Sequence, residues 1–114
     1  MPPEICNLLA PLPPALSGEA CDAIVTSDTV RIERIVSHGQ ITPEGEWYDQ
    51  KQDEWVLVLA GSAELLFEGN QGSQRLLVGD HVLIPAGCRH RVTWTDPDLN
   101  TVWLAVHFTA AGTP

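Results

Sequence analysis

The chain has 114 residues, room for one small domain and little more. Asp and Glu number 15 against 6 Lys and Arg, a net charge of −9, which leaves no basic groove for nucleic acid and no basic face for anionic lipid. With 44% apolar and 18% charged residues the sequence is that of a globular protein, and no apolar run approaches the length of a membrane span.

The opening stretch is broken by Pro2, Pro3, Pro11, Pro13 and Pro14, and its first basic residue is Arg31. It lacks the basic start of a secretory signal and reads as the mature arm of a cytoplasmic protein, residues 1–22, with at most one helical turn near Ala15 to Ala20. Cys6, Cys21 and Cys88 are far apart and form no Cys-x-x-Cys pair, as expected of free thiols in a reducing compartment; Cys88 stays open as a reactive thiol.

From residue 23 to 114 the pattern predicts β-structure. The runs are Val30 to Val36, Glu54 to Leu59, Ala63 to Glu68, Arg75 to Val78, His81 to Ile84, Arg89 to Thr95 and Thr101 to Phe108. Turn signals separate them at Gly61, Gly69 to Gly72, Gly79-Asp80, Pro85 to Gly87 and Pro97. Short strands at this spacing, with no helix-period segment between them, predict an all-β sandwich or barrel. In Trp55-Val56-Leu57-Val58-Leu59 and in Thr101 to Val106 both alternating faces are apolar. A barrel wall needs only one, so the arm or a second subunit is expected to cover the other, and a homodimer follows.

The most specific pattern runs from Gly79 to His90: Gly, five residues, Pro, one residue, Gly, two residues, His. Pro85 and Gly87 shape a turn that aims His90 inward, with Val92 and Trp94 expected on the same face; Gly87→Val should cost about 1–3 kcal/mol. Upstream, Glu54 is followed after six residues by Gly61. Together these resemble the two motifs of the cupin superfamily. The chain is similar to the small single-domain bacterial cupins of the conserved-barrel type, with a divergent first motif. The resemblance covers roughly Val30 to Phe108 and implies a jelly-roll β-barrel with the arm packed outside.

That resemblance implies a ligand set, and the chain departs from it. Metal-binding cupins carry His-x-His three or four residues before the motif Glu. With four intervening residues those positions are Trp47 and Asp49; with three they are Tyr48 and Gln50. The final Asn of the second motif is replaced by Trp94. Glu54 and His90 carry over. With Asp49, or Gln50, as a third ligand and water completing the shell, they would hold one divalent transition metal: zinc, nickel, iron or manganese. The alternative is a metal-free pocket in which Glu54 and His90 form a buried pair.

Tyr48 and Glu54 are the candidate catalytic groups, Tyr48 as a general acid or base. Trp47, Gln50, Trp94 and His107 are candidates for the ligand pocket, although His107 reads equally as a core histidine. His38 and His81 are expected at the surface. Two functions follow. One is a metal-dependent enzyme of lyase, isomerase or dioxygenase type, acting on a small molecule. The other is a non-catalytic cupin that binds or senses a metabolite without metal.

Overall fold

The computed structural model describes residues 2–14 and 18–109. Among them are eight strands: β1 (Ala20–Thr26), β2 (Val30–Ser37), β3 (Asp53–Ala60), β4 (Ala63–Phe67), β5 (Gln74–Leu76), β6 (His81–Ile84), β7 (His90–Thr95) and β8 (Thr101–Phe108). All the pairings are antiparallel. They build a five-stranded sheet in the order β1-β2-β8-β3-β6 and a three-stranded sheet in the order β5-β4-β7. This is an all-β barrel, as the strand spacing predicts, and of the jelly-roll type that the resemblance implies. No helix of the described residues is long and apolar enough to cross a membrane.

Alternation sets the two faces of the large sheet. On β3, Glu54, Val56 and Val58 are buried, while Trp55, Leu57 and Leu59 are half-buried on the other side. On β8, Trp103, Ala105 and His107 face inward. Their partners across the ladder share that face: Val58 lies opposite Trp103, Val56 opposite Ala105 and Glu54 opposite His107. The core joins Val56, Val58, Trp103 and Ala105 of this face to Ile84 of β6 and to Ala63, Leu65 and Leu76 of the small sheet. The polar members of the same face, Glu54 and His107, pair near one end, at the start of β3 and the end of β8.

The outer apolar face is partly covered by the arm. The Arg34 guanidinium on β2 donates to the carbonyls of Leu8 and Pro11, at 3.2 and 3.1 Å, and pairs with Asp22. Leu8 and Pro11 thereby lie along a groove with Ile24, Ile32 and Leu104.

Strand β1 begins inside the segment expected to be arm, so residues 1–22 are not all arm. Its sequence hides it. Asp22 interrupts the apolar residues, and the register against β2 shifts between Ala23 and Val25, so no alternation runs along it. Residues 15–17 of the helical turn expected near Ala15 to Ala20 lie outside the described residues; Gly18 and Glu19 are not helical, and Ala20 opens the strand. β5 ends at Leu76, before the expected Val78, because the Asp80 carboxylate accepts from the Leu77 N–H at 2.7 Å and bends the chain there.

Candidate functional site

A cavity of about 260 Å3 opens at the polar end of the barrel. Its floor is apolar, made by Val56, Leu65, Ile84 and Val92. Its polar lining is Glu54, His90, His107, Gln50 and Tyr48, with Arg31 and Glu33 of β2 beside His107.

His90 is held by the turn before it. The Cys88 N–H donates to the Pro85 carbonyl at 3.0 Å, and the Ala86 N–H donates to the Asp53 carboxylate at 2.8 Å. Backbone bonds in both directions fasten Tyr48 to His90, at 2.7 and 3.1 Å, and Gly87 N–H donates to Gln50 O. The segment carrying Tyr48 and Gln50 is thus stitched along β7 and the turn, and both side chains reach the cavity.

Within the cavity Glu54 lies between two imidazoles. Its Oε1 is 3.4 Å from His90 Nε2 and its Oε2 is 3.7 Å from His107 Nε2. The Nδ1 of His90 donates to the Cys88 carbonyl at 2.9 Å, and that of His107 donates to Gln50 Oε1 at 3.0 Å, since each partner oxygen is an acceptor. The Glu54 side chain is only 9% exposed, and its Oε1 has no hydrogen-bond partner among the described residues. A buried carboxylate oxygen left in this state is costly, so it is the atom from which a function is best argued.

The affinity of His90 for its proton is raised. Burial, the largest single influence, pulls it down, but the contact with Glu54, the Cys88 carbonyl and the Glu54 charge together outweigh it. A raised folded-state value means that His90 contributes stability below its unfolded value, near 6.5, and that this contribution is lost as pH rises through the folded value. An NMR titration of the His90 ring should therefore give a midpoint above 6.5, and Glu54→Gln should bring it down; a wild-type midpoint below 6.5 would count against the geometry. Tyr48 is also raised, through burial first and then the charge of Glu19. It keeps its phenolic proton through the neutral range and suits the role of donor rather than base.

The structure separates the remaining candidates. Asp49 is exposed and does not line the cavity; Gln50 does, so the spacing of three residues describes the chain. Trp47 packs outside β7, with the guanidinium groups of Arg89 and Arg91 at 5.7 and 5.9 Å from its ring. Trp94 also faces outward, under Arg75 at 4.8 Å. The cause is a bulge. On β4 Glu64 and Leu65 are adjacent, but their β7 partners are Trp94 and Val92, so Thr93 is extra and the alternation reverses there. Val92 and Thr95 consequently face inward, and Trp94 does not. His38 is exposed and donates to Asn100 Oδ1 at 2.9 Å; His81 is exposed and accepts from Trp55 Nε1 at 3.1 Å. The three cysteines are free, and Cys88 packs against the core.

The sequence reading missed Glu19, Cys21, Arg31 and Glu33, which line the cavity mouth. Arg31 and Glu33 alternate with Ile35, and that parity was a usable signal. Glu19 and Cys21 depend on β1, which gave none. The buried Ser37 hydroxyl donates to Glu19 Oε2 at 3.1 Å and accepts from Trp103 Nε1 at 3.3 Å. Burial raises the proton affinity of Glu19, and the Ser37 bond opposes it.

These residues do not fit the metal that the fold family suggests. A divalent ion needs three or four donors converging on one point at about 2.0–2.3 Å. Among the described residues no three His, Cys, Asp or Glu side chains are so placed. Glu54 takes one imidazole against each of its oxygens and so spaces the two rings apart. Gln50 and Tyr48 stand at the two histidine positions of the first motif.

Comparison with known proteins agrees with the architecture. The solved protein of Ralstonia eutropha JMP134 described as a candidate mannose-6-phosphate isomerase is 45% identical, with a TM-score of 0.91 over 95% of this chain and 100% of that one. A cupin superfamily protein of Desulfitobacterium hafniense DCB-2 is 20% identical, with a TM-score of 0.75 over 96% of this chain and 94% of that one. The DMSP lyase of Ruegeria pomeroyi DSS-3 is 24% identical, with a TM-score of 0.68, and the match spans 96% of this chain but 57% of the lyase. The last two show the fold alone. A search of curated proteins finds no match. The model of the cupin domain matches residues 28–107, and the chain belongs to the cupin family.

Proposed function

We propose that this cupin binds a small organic molecule in the barrel cavity, with Glu54 and His90 as an acid–base pair against the ligand. The supporting observation is the buried Glu54 Oε1, which has no hydrogen-bond donor of its own among the described residues and faces a mainly apolar space with a few polar side chains. A protonated His90 beside the Glu54 carboxylate sets a donor and an acceptor against the same ligand, which suits proton transfer of lyase or isomerase type. Ligand contacts come from side chains, because the donors do not converge as a metal centre requires. A phosphosugar such as the name of the Ralstonia relative suggests is not favoured: among the described residues the one guanidinium at the cavity, Arg31, is already paired with Glu33.

The test is an NMR screen of small fragments, read at the His90 and His107 rings, with elemental analysis of the purified protein. Hits that move both rings in the wild type and fail in Glu54→Gln support the reading. One divalent ion held per chain, and lost in Glu54→Ala and His90→Ala, would overturn it in favour of a metal enzyme.

A second reading concerns assembly. The outer face of β3 and β6 presents Trp55, Leu57 and Leu83, with Leu83 53% exposed, and favours a homodimer through this sheet. Sedimentation should show a dimer, and Leu83→Lys a monomer; a wild-type monomer removes the reading.

A further inference from the structure

We propose that the polar end of the cavity is built for an organic ammonium ion, a small primary amine with an apolar body. The inference rests on the cavity reading above and adds the charge and donor chemistry of the ligand.

Two carboxylates, Glu33 and Glu54, meet there around one imidazole nitrogen. Glu33 spends its Oε1 on Arg31, and its Oε2 lies 4.0 Å from His107 Nε2. Glu54 Oε2 lies 3.7 Å from the same nitrogen. His107 turns its Nδ1 to Gln50 Oε1 at 3.0 Å, and its Nε2 is the ring atom that faces both carboxylates. Beside them is the unpartnered Oε1 of Glu54, on a side chain 9% exposed. An ammonium head carries three N–H donors and a positive charge, and so supplies what the acceptors lack.

The remainder of the cavity matches the same ligand. Val56, Leu65, Ile84 and Val92 form an apolar wall for a short hydrocarbon body. A space of about 260 Å3 is much larger than a bare ion needs, and no metal-holding cluster is found among the described residues. Among the described residues Arg31 is the one guanidinium at the cavity, and its Nε is paired with Glu33, while the carboxylates of Glu19, Glu33 and Glu54 line the same space. The chain's net charge of −9 favours the approach of a cation.

The experiment is calorimetric titration of the full chain with isoamylamine, isoamyl alcohol and isovalerate, which share a carbon skeleton and differ in head group, and with zinc chloride. The amine should bind at least about tenfold more tightly than the alcohol, and isovalerate should not bind. Glu33→Gln should weaken the amine by about tenfold and leave the alcohol unchanged. The head-group series uses the unmodified protein and stands even if the variant fails to fold. Alcohol or isovalerate binding as tightly as the amine overturns the charge assignment and leaves the cavity reading intact. A single tight zinc site that competes with the amine overturns it in favour of a metal ion. If none of the three organic probes binds, the inference falls, and the fragment screen at the His90 and His107 rings decides separately whether the cavity reading falls with it.

Discussion

Above the pH at which His90 gives up its proton, Glu54→Gln should lose ligand binding by roughly 10- to 100-fold while leaving the fold as stable as before, or more stable by about 1 kcal/mol. The two halves of this result have one cause. Glu54 is carried to the cavity by β3, where Val56 and Val58 on the same face anchor it in the core, and its carboxylate is almost fully buried. It has given up water and recovered little, since the imidazoles lie at 3.4 and 3.7 Å and Oε1 accepts no hydrogen bond from the described residues. A neutral amide of the same shape avoids most of that desolvation. It also withdraws the charge against which a ligand's donor would be bound, worth about 1.5–3 kcal/mol for a charge-assisted hydrogen bond. Urea denaturation and calorimetric titration of the two proteins measure each half. A variant that loses about 3 kcal/mol of stability would mean that Glu54 is a structural partner of His90 and His107 rather than a binding group.

How much of this could be read from the sequence varies along the chain, for physical reasons. Strands β3, β6 and β8 are apolar, β-branched runs bounded by turn residues, and their limits were legible to within a residue. The inward aim of Glu54 and His90 followed from the two motifs. Parity failed where the backbone is irregular. The bulge at Thr93 turns Trp94 outward, and no residue near it announces a bulge. Trp47, Tyr48, Asp49 and Gln50 lie on a segment attached to β7 by isolated bridges, so neither period 2 nor period 3.6 tells which of them face inward. Two motif spacings stayed open there, and Asp49, the more chemically attractive ligand, is the exposed one. Glu33 is a different case. It alternates correctly on β2, but a charged residue paired with a nearby arginine reads as solvated surface until β8 is seen opposite, with His107 within 4.0 Å.

The largest loss of stability is expected at Gly61, the glycine that ends the first motif. It has φ +78°, a backbone conformation that costs any other residue about 1–2 kcal/mol. Space adds to the cost. A Cβ at this position would lie 2.5 Å from Thr101 Oγ1, 2.6 Å from the Asn100 carbonyl and 2.7 Å from Thr101 Cα. Two of these are backbone atoms at the start of β8, and they cannot swing aside. Thr101 is fully buried, and its hydroxyl is committed on both sides: it donates to the Ser62 carbonyl at 3.0 Å and accepts from the Ser62 N–H at 3.3 Å. Relieving the overlap means shifting β8, the strand that carries Trp103 and His107 and pairs with both β2 and β3. Gly61→Ala should therefore cost about 3–5 kcal/mol. Gly87 sets the comparison. Its φ is +79°, yet a Cβ at that position would meet no described atom within 4 Å, so Gly87→Val bears only the backbone strain and should stay within about 1–3 kcal/mol. The smaller substitution should thus be the more damaging of the two. Urea midpoints of both variants decide it, and a Gly61→Ala protein as stable as Gly87→Val would show that β8 yields where the close backbone contact says it cannot.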